Sequence, residues 1–288
     1  MEILVSTGSL TGIPLRCAFD LARRAGADGV ELMLTSRLVR DGPERIQALE
    51  HQTGVPVRAV HTVMRLRDPS LERAAEDILI SAHFAHRLAN CDALVVHLPS
   101  APTLHAPGTR IWFDAIDTAL TVTEQGRARI AIENTGRLRR SDPEPFLDHP
   151  DRLLRFAQEW GVAITYDTAH AASQGWDVLE VAAPLAPHLA NVHLSDYGRR
   201  TFPVGLANAL LRDHQLPGTG VLPLGDVLDR LVRAGYDGLV TLELSPVALR
   251  VPWFPSTERR LAAAIGYCRA AIFAALRTGQ TTHHPRRP

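Results

Sequence analysis

Six residues of metal-binding type recur at one kind of place in this sequence. His61, His97, Glu133, Asp167, His193 and Glu243 each end, or directly follow, a short apolar run rich in β-branched residues, and His170 stands just beyond Asp167. A carboxylate at the end of such a run is hard to explain by packing, because burial of an unpaired charge is costly. If the runs are parallel strands of one closed barrel, their C-terminal ends share a rim and the six residues converge. Convergence of imidazoles and carboxylates points to a divalent metal. A histidine–carboxylate hydrogen-bond network without metal is the alternative reading.

The elements needed to position them can be read along the chain. Strands are predicted near Ile3–Ser6, Gly29–Leu34, Val57–His61, Ala93–His97, Arg129–Glu133, Ala163–Asp167, Ala190–His193 and Leu239–Glu243. Helices are predicted over Leu15–Arg24, Glu44–Gln52, Ser70–Ala89, Thr109–Gln125, Pro150–Trp160, Asp177–Ala182, Leu224–Arg233 and Ser256–Leu276. Several strand runs are continuously apolar, as strands buried on both faces should be. Eight strands alternating with eight helices suit a single (β/α)8 TIM barrel over residues 1–276. An open doubly wound sheet is the structural alternative, but no G-x-G-x-x-G follows the first strand. Residues 277–288 lack apolar periodicity and are expected to form a disordered tail, which includes His283 and His284.

Composition removes several classes. The 31 basic residues, balanced by 31 acidic ones, are all arginine. The absence of lysine excludes Schiff-base chemistry and the P-loop phosphate site. Zero net charge argues against a general nucleic-acid binder. Cys17, Cys91 and Cys268 form no C-x-x-C pair, so no cysteine zinc site or disulfide framework is indicated. No uninterrupted apolar run reaches the ~18 residues of a membrane span, and the N-terminus lacks a signal layout. The expectation is a cytoplasmic enzyme that engages no membrane.

Ile132-Glu133-Asn134, Tyr166-Asp167-Thr168-Ala169-His170, Val192-His193-Leu194-Ser195-Asp196, His214-Gln215-Leu216-Pro217-Gly218-Thr219-Gly220 and Leu242-Glu243 follow one another along the chain. In that order and spacing the sequence resembles the xylose isomerase-like barrels, which include sugar isomerases, ketose 3-epimerases, inositol-catabolism enzymes and endonuclease IV. The resemblance implies that Glu133, Asp167, His193 and Glu243 hold one divalent ion (Mn, Zn, Co or Mg). Three carboxylates and an imidazole suit such an ion. It further implies that Glu133 and Glu243 move protons on a small-molecule substrate, and that His170 contacts that substrate. Relatives are often dimers or tetramers, so the resemblance admits a homo-oligomer.

His61 and His97 match both branches of the resemblance. In endonuclease IV, histidines at these places join the first glutamate around a second metal, and the equivalents of His170 and His214 take a third with an aspartate. Arg212 occupies that aspartate position here, beside Asp213. Elsewhere such histidines contact substrate, so metal ligation and substrate binding stay open for both. Glu31 is expected to face the rim, either binding substrate hydroxyls or pairing at the surface. Gly218 and Gly220 are expected to offer backbone N–H groups to a hydroxyl or phosphate. Trp112, Trp176 and Trp253 could wall a sugar pocket, with ordinary packing the preferred reading for each one.

The leading expectation is a metal-dependent isomerase or epimerase of a small sugar or polyol-derived keto compound. The alternative is an endonuclease IV-like phosphodiesterase or abasic-site nuclease, which the balanced charge and Arg212 disfavour. A non-catalytic metal-binding barrel ranks third, because both candidate acid–base glutamates are present.

Overall fold

The computed structural model describes residues 1–65, 70–98, 103, 105, 106, 108–139, 141, 142, 147 and 149–281. Eight strands close into a barrel in sequence order, each parallel to its neighbours. They are β1 (Glu2–Ser6), β2 (Gly29–Met33), β3 (Val57–His61), β4 (Ala93–His97), β5 (Arg129–Glu133), β6 (Ala163–Asp167), β7 (Leu189–Leu194) and β8 (Leu239–Leu242). The first half of the chain adds the helices α1 (Leu15–Ala25), α2 (Ser36–Asp41), α3 (Pro43–Thr53), α4 (Leu71–His86) and α5 (Thr109–Glu124). The second adds α6 (Pro150–Trp160), α7 (Thr168–Gln174), α8 (Ala182–Leu185), α9 (Gly205–Leu211), α10 (Leu224–Arg233), α11 (Pro246–Leu249) and α12 (Phe254–Thr281). This is the expected (β/α)8 barrel.

Alternation along each strand sorts its side chains. Ile3, Val5, Val30, Leu32, Leu94, Val96, Ile130, Ile132, Ile164 and Val192 join the large apolar core shared with the helices. Leu4, Ala59, Ala93, Ala131, Ala163, Ala190 and Leu239 form a separate interior cluster of mostly small residues. Strand positions inside the barrel also carry Glu31, Thr165, Asn191 and Thr241, all buried. Two residues beyond Thr165, Asn191 and Thr241 come Asp167, His193 and Glu243, and two beyond Ala131 comes Glu133, all at the C-terminal rim. The polar residues that end the apolar runs are therefore stacked on a polar layer inside the barrel.

Three local expectations change. The helix expected over Asp177–Ala182 is replaced by α7 and α8 on either side of it. The Asp167 carboxylate caps α7 by accepting from the backbone N–H of His170 at 2.6 Å, so the helix starts with no intervening loop. Gly175, at φ 83°, ends it in the left-handed conformation that glycine tolerates. α12 runs on through Thr281, and residues 282–288, with His283 and His284, lie outside the described residues. By length and composition α12 could cross a membrane over Phe254–Thr278, which the run-length argument did not anticipate. It packs against α1 and α10, burying Leu261, Ala264, Ile265 and Cys268. Trp112 takes the packing role preferred for it over a pocket wall: it is fully buried on α5 against Phe113 and Phe156.

Candidate metal centre

The rim is assembled by pairwise ties between neighbouring strands. The Asn134 side chain donates to the Asp167 carbonyl at 3.0 Å and accepts from the Asp167 N–H at 2.8 Å, joining the ends of β5 and β6. Thr168 Oγ1 donates to the Ser195 carbonyl at 2.7 Å, joining β6 to the segment after β7. The register sets His97 beside Glu133 and Asp167 beside His193. Gly136 leaves room for a ring: a Cβ there would stand 2.4 Å from His170 Cδ2.

Glu133 lies at the middle of the arrangement, 1% exposed and ringed by imidazoles. Its Oε1 is 3.1 Å from His193 Nδ1 and 3.2 Å from His170 Nδ1. Its Oε2 is 2.8 Å from His97 Nε2 and 3.5 Å from His61 Nε2. His193 Nδ1 is also 2.7 Å from Glu243 Oε2 and 3.8 Å from Asp167 Oδ2. Ligand atoms of Glu133, Asp167, His193 and Glu243 thus all lie within 4.8 Å of one another. Two further groups meet the same limit: His61 with His97 and Glu133, and Asp167 with His170 and His214. All eight expected rim residues are brought together.

Two buried carboxylate oxygens in this cage, Glu133 Oε2 and Asp167 Oδ2, have no aligned hydrogen-bond donor among the described residues. Buried acceptors are normally satisfied, and a bound cation is one way to satisfy these. Histidine nitrogens face the same space, with His61 Nε2 3.2 Å from His97 Nε2. His61 Nδ1 is 3.0 Å from the Thr62 carbonyl, which can only accept, so in the neutral ring Nε2 carries the lone pair.

Charge in the cage is strongly coupled. Burial disfavours ionisation of Glu133, but His193, His97 and His170 outweigh it and hold the carboxyl well below its ordinary range. Glu243 is likewise held low, chiefly by His193 against the effect of burial. Asp167 moves the other way, because its burial exceeds the pull of His170 and His214. Burial lowers the histidines, yet carboxylates overcome it: Glu133 above all raises His61 to about 9, and Asp167 and Glu133 raise His170 to about 10. Protons on the imidazoles occupy the role that a divalent ion would take.

Other candidates are relocated. Glu31 neither reaches the surface nor pairs there; it is fully buried, its Oε2 2.8 Å from His193 Nε2 and 2.9 Å from Asn191 Nδ2. The N–H groups of Gly218 and Gly220 donate to the buried Asp196 carboxylate at 3.0 and 2.8 Å, so they are not free for a hydroxyl or phosphate. Tyr197 and Leu222 add two more N–H donors to Asp196, which thereby shapes the loop carrying His214. His214, at φ 53°, is further held by Ser195 Oγ at 3.2 Å from Nδ1. Asp213 is paired with Arg212 at 2.6 Å, both buried, and belongs to none of the three groups. Trp253 is largely exposed. Sequence reasoning missed the roles of Asn134, Thr168, Asn191 and Asp196, although all but Asn191 stand inside the stretches it had singled out.

Comparison with known proteins places the chain among related barrels. The family model described as a xylose isomerase-like TIM barrel matches residues 19–271. An uncharacterized protein of Mycobacterium tuberculosis is 27% identical over 271 residues, covering 87% of this chain and 91% of the relative. A Streptomyces coelicolor protein described as a candidate hydroxypyruvate isomerase is 35% identical over 97 residues, 32% of this chain and 30% of that one. The crystal structure of D-psicose 3-epimerase with D-tagatose, from Clostridium cellulolyticum H10, superposes with a TM-score of 0.70 at 13% identity, covering 94% and 99% of the two chains.

Proposed function

Since this chain belongs to the xylose isomerase-like TIM barrel family, we propose that it is a metal-dependent isomerase or epimerase of a small sugar or polyol-derived keto compound. The observation that carries the reading is the pair of carboxylates flanking His193 Nδ1, Glu133 at 3.1 Å and Glu243 at 2.7 Å, inside a cage with unsatisfied acceptor oxygens. The epimerase fold likeness and the partial likeness to a candidate hydroxypyruvate isomerase support the same class.

Glu133, Asp167, His193 and Glu243 are the residues that would hold the ion, and their oxygen-rich set suits Mn, Zn, Co or Mg. When bound, the ion supplies Lewis-acid polarisation of a substrate carbonyl or hydroxyl oxygen. The chain's own work is proton transfer. One glutamate takes the proton from the carbon next to the carbonyl, giving an enediol-type species. The other returns a proton to the opposite face for epimerisation, or to the former carbonyl carbon for aldose–ketose exchange, in which the neighbouring hydroxyl's proton also passes to the former carbonyl oxygen. Glu243 is the more accessible of the two, with 17% of its side chain exposed against 1% for Glu133. His170, 22% exposed and held by the Asn134 carbonyl at 3.0 Å, is positioned to contact a substrate oxygen.

A second reading draws on the two outer groups, His61–His97–Glu133 and Asp167–His170–His214. Loaded with further ions they would suit phosphodiester hydrolysis, in which several metals stabilise attacking and leaving oxygens. The Arg212–Asp213 pair removes the expected third ligand of the outer group and weighs against it. The deciding experiment measures bound metal per chain, then solvent-deuterium incorporation into ketoses, inososes and hydroxypyruvate-like compounds, and incision of an abasic duplex at low salt. One ion with deuterium exchange and no incision supports the isomerase. Two or three ions with incision that His61→Ala and His97→Ala abolish would replace it with the nuclease.

A further inference from the structure

Glu31 is a fully buried carboxylate that takes no part in the proton transfers above. We propose that it is a positioning residue, which fixes the orientation and tautomer of His193 so that Nδ1, and not Nε2, is presented to the cation. The inference rests on the metal-centre reading and assigns what stands behind it.

The geometry is specific. His193 Nε2 is 2.8 Å from Glu31 Oε2, and a carboxylate only accepts, so that nitrogen carries a hydrogen. The carboxylate is itself held: Asn191 Nδ2 donates to the same Oε2 at 2.9 Å. Asn191 is oriented in turn, because Thr241 Oγ1 donates to its Oδ1 at 3.0 Å. Three strands therefore fix one ring from below, through Glu31 on β2, Asn191 on β7 and Thr241 on β8. Glu31 reaches His193 from β2 across a barrel interior where Ala59, Ala93 and Ala131 leave space.

On its other side His193 offers Nδ1 to Glu133, Glu243 and Asp167 at 3.1, 2.7 and 3.8 Å. Without an acceptor behind the ring, the hydrogen favoured by those three carboxylates is the one on Nδ1, where it blocks the cation. With Glu31 in place, the hydrogen is held on Nε2 and Nδ1 is the nitrogen that would face a cation. Glu31 Oε1 has no hydrogen-bond partner among the described residues. The residue is absent from all three candidate ligand groups, which separates it from the ligands themselves.

The test uses Glu31→Leu, which removes the acceptor, and Glu31→Gln, which keeps a neutral one. Two quantities are read: zinc affinity by competition with a chromophoric chelator, and the hydrogen-bonded His193 Nε2–H resonance in ¹⁵N-labelled protein. Partners behind metal-bound histidines typically matter by about 10–100-fold in affinity. Glu31→Leu should lose that much and lose the slowly exchanging Nε2–H signal, while Glu31→Gln keeps the signal and loses less affinity. Wild-type zinc affinity in Glu31→Leu, or an Nε2–H resonance unchanged from wild type, overturns the proposal. If Glu31→Leu does not fold, Glu31→Gln decides alone: a shifted resonance with several-fold weaker zinc supports it, and wild-type values of both refute it. Should the wild type bind no metal, the metal-centre reading fails. The Nε2–H signal of metal-free protein then still reports whether Glu31 holds the ring.

Discussion

Replacing Glu243 by glutamine separates proton transfer from metal retention. The amide is nearly isosteric and keeps an oxygen where Glu243 Oε2 now stands, 2.7 Å from His193 Nδ1. It cannot take a proton. General acid–base catalysis by a positioned group contributes about 10²–10⁴-fold, so exchange should fall by that factor, about 2.7–5.4 kcal/mol of barrier at ~1.36 kcal/mol per decade. Metal binding should weaken less, because Glu133, Asp167 and His193 remain within reach of the same point. Glu133→Gln is the informative contrast. Glu133 oxygens lie within 3.5 Å of four imidazoles, so neutralising it unbalances the whole cage and should cost metal affinity as well as rate. The assay is solvent-deuterium incorporation into the substrate found by the panel, at saturating manganese, with bound metal measured on the same samples. A fully loaded Glu243→Gln protein that exchanges at the wild-type rate refutes the acid–base role and leaves Glu243 as a ligand alone.

Two further outcomes follow from the same geometry. Asp196→Ala removes the acceptor of four backbone N–H groups, those of Tyr197, Gly218, Gly220 and Leu222. A buried donor left unsatisfied costs about 1–3 kcal/mol, and these four are partly exposed so that water can serve some of them; thermal denaturation should therefore reveal about 1–3 kcal/mol of lost stability in all, whereas a variant within ~0.5 kcal/mol of wild type would contradict the role given to Asp196. Metal-free protein should also lose stability as pH rises. His61 and His170 are raised from 6.5 to about 9 and about 10, so their contribution is complete below pH 6.5 and vanishes as pH climbs through those values. Glu133 and Glu243, held below 4.5, contribute above that pH and lose it on acidification, which puts the metal-free optimum near pH 4.5–6.5. Saturating manganese should move the optimum upward by replacing the imidazole protons, as melting curves at constant ionic strength will read; a metal-free optimum near pH 9 would contradict this.

Much of the fold was legible because parallel barrel strands are buried on both faces. β3, β4, β5 and β6 begin and end at the residues where their apolar runs do, and each run closes on His61, His97, Glu133 or Asp167. α7 was not legible: its helix is nucleated by the Asp167 side chain, which the sequence presented as a possible ligand and not as a cap. Glu31 was misplaced for a similar reason. It was expected at the rim, and only the alanines on β3, β4 and β5 reveal that an inward glutamate can span the interior to β7. The turn after His214 looked like a free anion nest, and its occupant, Asp196, lies 22 residues before Gly218. Strand-end chemistry can be read locally, while the partners of those side chains are fixed by closure of the barrel.

Glu133 belongs to two of the three candidate ligand groups and Asp167 likewise to two, so the groups form a chain with shared links. Sites that share a ligand cannot fill independently. A cation on the central group draws charge from both shared carboxylates and so weakens each outer group, and by thermodynamic reciprocity an ion on an outer group weakens the central one equally. Loading should therefore be anticooperative. The binding isotherm would be stretched over a wider range of free metal than independent sites allow, with the outer histidines able to serve substrate while the centre alone is filled.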